Sequence, residues 1–191
     1  MGGPVYVGFL LGHVMALAQV GENFFLAYPL EFDIRQLPDN IYELGRNWLL
    51  FALLTTFATD TGAYLVGRTV GRHPMAPKIS PNKTWEGAVG GFLGAVLAAV
   101  LLERMFNLGL GNPGWESGWD SAWNWQPLLI GATVGMASQA GDLLESWLKR
   151  RSQVKDAGSL MPGHGGILDR LDSLLFTIPV VYYLLVAVLR L

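Results

Sequence analysis

Five long apolar runs set the first constraint on this chain. They cover roughly Pro4–Val20, Asn47–Val66, Gly87–Phe106, Pro127–Leu148 and Leu171–Leu191. A helix needs about 20 apolar residues to cross a bilayer, and the first run is the shortest of the five. Hydrocarbon offers no hydrogen bonds to an open backbone, so helices are the expected form. A soluble helical bundle is the competing reading, but five such runs exceed what a core of this chain length can bury. Composition agrees: charged residues make up 15% of the chain, against about 25% in soluble domains. The expected fold class is all-α, a polytopic membrane protein with about five transmembrane helices, in one domain spanning residues 1–191.

Net charge is -2, so no basic field argues for a nucleic-acid partner. The chain has no cysteine, which excludes disulfides and thiolate zinc sites. The opening MGGPVYVGFLLGH has no basic leader, so no cleaved signal peptide is expected.

The connections between the runs differ in charge. Residues 21–46 are acidic. Residues 67–86 carry Arg68, Arg72, Lys78 and Lys83. Residues 107–126 lack Lys and Arg but hold Trp115, Trp119, Trp123 and Trp125. Residues 149–170 carry Lys149, Arg150, Arg151, Lys155 and Arg170. The two basic connections thus hold nine of the thirteen Lys and Arg residues. The positive-inside rule assigns both to the cytoplasm, with the amino terminus inside and the carboxyl terminus outside. The tryptophan-rich connection falls on the opposite face, where indoles suit the headgroup layer.

Carboxylates stand where lipid is expected. Asp60, Asp142 and Glu145 lie near the cytoplasmic ends of their runs. Such groups normally face a bundle interior or a wet cavity, or else snorkel to the interface. Ser138, Gln139, Asp142, Glu145, Ser146 and Lys149 follow helical spacing and share one face. That stripe is either the wall of a hydrophilic pocket or a polar helix–helix contact.

The first basic connection contains KISPNKTWEG, Lys78 to Gly87. Ser80-Pro81-Asn82 has turn chemistry. Thr84 is a candidate N-cap without a capping box, since Gly87 occupies the position of the partner acid. Lys78 and Lys83, with the hydroxyls of Ser80 and Thr84, suit a phosphate chain, although the Walker order is absent. A plain basic surface turn fits the same residues.

The second basic connection holds KDAGSLMPGHGGILDRLDS, Lys155 to Ser173. Its glycines allow close backbone approach to a ligand. Asp156, Asp169 and Asp172 are hard oxygen donors of the kind Mg²⁺ takes beside substrate phosphates. Lys149, Arg150, Lys155 and Arg170 can neutralise phosphate charge. His164 either donates to a phosphate or serves as a structural hydrogen bonder, and no second histidine stands nearby to make a zinc site. Acids, cations and a pliable backbone together point to phosphoryl or nucleotidyl transfer.

Ser146 to Asp172, SWLKRRSQVKDAGSLMPGHGGILDRLD, resembles the signature of the phosphatidate cytidylyltransferases, approximately S-x-x-K-R-x4-K-D-x-G-x3-P-x-H-G-G-x-x-D-R-x-D. DTGAYLVGRTVGR and PKISPNKTWEGAVGG are similar to two further blocks of that family, in the same order. The resemblance covers Asp60 onward, with its catalytic part at residues 60–172. It implies a multi-pass enzyme of the cell inner membrane. Such an enzyme joins phosphatidic acid to CTP, releases pyrophosphate, depends on Mg²⁺ and forms a homodimer. With the chemistry of the residues read beside that resemblance, Asp142, Asp156, Asp169 and Asp172 are expected to hold the metal. Lys155, Asp156, His164, Asp169 and Arg170 are assigned to catalysis. Asp60, Lys78, Ser80, Lys83, Thr84, Ser146, Lys149 and Arg150 are assigned to the substrates. The family carries more membrane-embedded sequence ahead of the DTGAY block than the 59 residues here, so shortened amino-terminal spans are expected.

Other readings compete. A CTP-using polyprenol kinase would transfer the γ-phosphoryl to an alcohol and need a general base. A transporter would place its carboxylates near the midplane, between repeats. A scaffold has no use for such a loop.

Overall fold

A computed structural model describes residues 3–20, 43–106, 108, 125–151 and 168–189. Five helices account for nearly all of it: α1 (Gly3–Ala18), α2 (Leu44–Val70), α3 (Trp85–Phe106), α4 (Gln126–Arg151) and α5 (Leu168–Leu189). Each coincides with one of the five apolar runs, to within a few residues at its ends. α2 and α3 are long and apolar enough to cross a membrane. The tryptophan-rich stretch 109–124 and the loop 152–167 lie outside the described residues.

The outer face of α3 explains why its sequence is apolar all round. Trp85, Val89, Leu93, Leu97, Leu101 and Met105 recur every four residues and are 56–66% exposed. A patch of that length in water would be an aggregation surface. The inner core is equally apolar, with Leu17, Leu44, Trp48, Phe51, Ile130, Val134, Val181 and Leu185 nearly inaccessible. α1, α2 and α5 pack around it together with the outer halves of α3 and α4.

Small residues let the helices approach backbone to backbone. A Cβ at Gly62 of α2 would stand 2.7 Å from the Gly90 carbonyl oxygen of α3. A Cβ at Gly131 of α4 would stand 2.6 Å from Ala99 of α3, and one at Gly135 2.7 Å from Ala95. Both contacts follow the small-xxx-small spacing of membrane helix pairs, where close van der Waals packing replaces the hydrophobic effect.

Among the described residues the fold departs from all-α at one place. Residues 74–84 form an antiparallel hairpin, β1 (Pro74–Ala76) and β2 (Ser80–Thr84), with Pro74 opposite Thr84 and Ala76 opposite Ser80. The expected turn at Ser80-Pro81-Asn82 is corrected: these residues lie in β2, and the turn precedes them. The Ile79 N–H donates to the Ala76 carbonyl at 3.0 Å, closing a turn with Pro77 at its second position. Proline at that position pre-sets the backbone angle a turn requires. Pro81 is tolerated because a two-stranded ribbon has free edges.

Candidate functional site

The hairpin, the first turns of α3 and the last turns of α4 meet at one end of the bundle. Thr84 caps α3 as its residue type suggests: its Oγ1 accepts the Gly87 N–H at 3.1 Å. That hydroxyl also fills the space beside Gly67 and Gly71, where added Cβ atoms would come within 3.2 and 2.8 Å of it. α2 therefore ends flush against the start of α3. Its cap residue Gly71 returns an N–H to Gly67 O at 3.1 Å.

One edge of α4 faces this corner. Gln139 Nε2 donates to the Ala88 carbonyl of α3 at 3.0 Å. One turn on, Asp142 Oδ2 is ion-paired with Lys83 Nζ of β2. Two turns further, Arg150 Nε donates to the Ile79 carbonyl in the hairpin turn at 3.2 Å. Along the same helix Lys149 Nζ pairs with Glu145 Oε1 at 2.9 Å. Of the two readings offered by the spacing of the polar stripe, the helix–helix contact is met at Gln139. Asp142 and Arg150 hold the hairpin.

The stripe also sorts by burial. Ser138 is inaccessible and Glu145 is 8% exposed, while Ser146 is half-buried. Asp142 and Lys83 retain side-chain exposures of 34% and 26%, so the pair lies at a rim open to solvent or solute. Lys149, Arg150 and Arg151 occupy the last turn of α4, where cations complement the helix dipole.

The other expected site residues are placed as follows. Lys78 is exposed in the hairpin turn, and Ser80 is half-buried in β2. Asp60 is exposed on α2, about three turns before the helix end. The structure thus brings Lys83, Thr84, Asp142 and Arg150 to one corner. Lys155, Asp156 and His164, and the side chains of Asp169, Arg170 and Asp172, lie outside the described residues. Among the described residues no three His, Asp or Glu side chains converge as metal ligands.

Sequence reasoning missed Glu86. Its Oε2 accepts the N–H groups of Arg72 and His73 at 3.1 and 3.2 Å. Its Oε1 takes His73 Nδ1 at 2.5 Å. An acid in the first turn of a helix is a signal by itself, but its partners are residues 13 and 14 positions earlier.

Comparison with known proteins identifies the family. The family described as "Cytidylyltransferase family" matches residues 5–188. A phosphatidate cytidylyltransferase of Staphylococcus epidermidis is 38% identical over 173 residues, 91% of this chain. Another, of Bacillus subtilis, is 40% identical over 146 residues, 76% of this chain. The chain spans 58% and 50% of the length of these two relatives. The family match spans nearly the whole chain, and the chain belongs to the cytidylyltransferase family.

Proposed function

We propose that this chain transfers a cytidylyl group from CTP to phosphatidic acid, giving CDP-diacylglycerol and pyrophosphate. The observation that carries this reading is the corner where Lys83 and Arg150, from two blocks that resemble the family's motifs, stand together: Lys83 pairs with Asp142 of α4, and Arg150 of α4 holds the hairpin turn at Ile79. Its relatives' printed name, phosphatidate cytidylyltransferase, supports the same substrates.

Attack by a lipid phosphate on the α-phosphorus of CTP brings like charges together, so cations must offset the repulsion. Lys78, Lys83, Lys149 and Arg150 supply them from both walls, with Lys155 from the segment between α4 and α5 and Arg170 from the first turn of α5. Thr84 fixes the wall that carries Lys83, while Ser80, Ser146 and Asp60 border the substrates. The lipid phosphate is already ionised at neutral pH, so no general base is required. His164 orients a phosphate.

One expected donor is described, Asp142, a partly exposed carboxylate at the rim, and hard oxygen donors of this kind suit Mg²⁺. Asp142, Asp156, Asp169 and Asp172 would hold it. When bound it supplies charge neutralisation at the reacting phosphates.

The membrane reading extends to five spanning helices in the cell inner membrane. The two basic loops then face the cytoplasm, as their Lys and Arg content requires. The apolar outer face of α3 supports this arrangement. A homodimer is part of the same proposal.

The test follows label from CTP. Cytosine-labelled CTP should pass its label into the lipid fraction, while γ-labelled CTP should not. Transfer of only the γ-label to lipid would mean a kinase and overturn the reading.

A further inference from the structure

We propose that Glu86 is a positioning residue that sets the hairpin, and with it Lys83, against α4 without itself touching substrate. The inference rests on the reading of the hairpin as one wall of the nucleotide site.

The hairpin has two feet. One is residues 72–73, leaving α2; the other is Thr84-Trp85, entering α3. Glu86 joins them. Its Oε2 accepts the backbone N–H groups of Arg72 and His73 at 3.1 and 3.2 Å, and its Oε1 takes the His73 ring nitrogen at 2.5 Å. A fourth link runs the other way, from Trp85 N–H to the His73 carbonyl at 3.0 Å. Both carboxylate oxygens are therefore engaged by other residues of the chain, at its surface. Hydrogen bonds to an ionised acceptor are the stronger kind, and the carboxylate sits in the first turn of α3, where the helix dipole favours negative charge.

The consequence falls on the other end of the ribbon. A two-stranded hairpin has little stability of its own. This one is fixed at its feet by Glu86, and at α4 by the Lys83–Asp142 pair and by Arg150 on Ile79 O. Those contacts to α4 use groups that bound phosphates and a cation would claim. When ligand takes Lys83, Asp142 and Arg150, the feet alone still set the ribbon. Glu86 thus holds Lys83 within reach while its partner changes from a carboxylate to a phosphate.

Because the chain has no cysteine, a pair of spin labels reads this directly. Asn82→Cys on β2 and Ala140→Cys on α4, both exposed, report the hairpin-to-helix distance in detergent. The full chain is measured with Glu86 intact and as Glu86→Ala, Glu86→Asp and Glu86→Gln. Gln keeps reach and an acceptor oxygen for the two backbone N–H groups, whereas Asp keeps charge but loses reach.

We expect a narrow distance distribution in the parent and in Glu86→Gln, and a broad one in Glu86→Ala and Glu86→Asp. CTP binding to the chain without labels should weaken about tenfold in Glu86→Ala, with recovery in Glu86→Gln. A narrow distribution in Glu86→Ala overturns the proposal, as does a broad one with CTP binding unchanged. A parent chain that binds no CTP would count against the nucleotide site itself, and the distance distributions would still decide whether Glu86 sets the hairpin.

Discussion

Lys83 on β2 and Asp142 on α4 form an ion pair across 59 positions of sequence, joining the two walls of the candidate site. In the proposed function one of them meets phosphate and the other meets metal. Lys83→Ala and Asp142→Asn should each lower turnover about a hundredfold or more, the usual scale for removing an electrostatic contact to a reacting phosphate or its ion. Turnover in the double variant should fall by less than the product of the two single losses, because the partners act as a unit. Strictly multiplicative losses would mean that the pair is incidental.

Asp156 lies in the sequence between α4 and α5, and the proposed function gives it a metal-binding role. Asp156→Asn should abolish turnover while the chain keeps its helical content and melting temperature in detergent. Chelation of divalent cations should do the same to the parent and be reversed by added Mg²⁺. Normal turnover in the variant would remove Asp156 from the site.

Glycine effects should follow helix contacts rather than glycine content. Gly62→Ala places a methyl 2.7 Å from the Gly90 carbonyl oxygen, and backbone must move to admit it. We expect a loss of about 1–3 kcal/mol, the scale of overpacking, read as a lower melting temperature in detergent. At Gly12 an added Cβ meets nothing within 4 Å. Gly12→Ala should be neutral or raise stability by up to about 1 kcal/mol, through helix propensity.

Thr84→Ala removes the cap of α3 and should cost about 1 kcal/mol of stability. Thr84→Ser keeps the hydroxyl and should restore most of it. Equal melting of all three forms would show that the cap contributes nothing measurable.

Much of this arrangement is legible in the sequence because long apolar helices announce themselves by length and apolarity. The five runs match α1–α5, and the Thr84 cap follows from residue type and the apolar run that begins after it. Placing Asp142 on the same α4 edge as Gln139 needs only the helical period. What escapes is pairing at a distance. The sequence places a turn at Ser80-Pro81-Asn82, because that tripeptide has turn composition, but Pro77 fits the second position of a turn better. Nothing local to Glu86 names Arg72 and His73 as its donors, since that contact exists only once α2 and α3 lie side by side. Their close approach is readable in retrospect from the spacing of Gly87, Gly90, Gly91 and Gly94, a pattern that marks helix pairing in membranes.

The most direct test is pyrophosphate release by the purified chain in detergent, supplied with phosphatidic acid, CTP and Mg²⁺, each omitted in turn. The account predicts release only when all three are present, in amounts equal to the CDP-diacylglycerol formed. Release that continues without phosphatidic acid, or no release from folded chain that binds CTP, would contradict it.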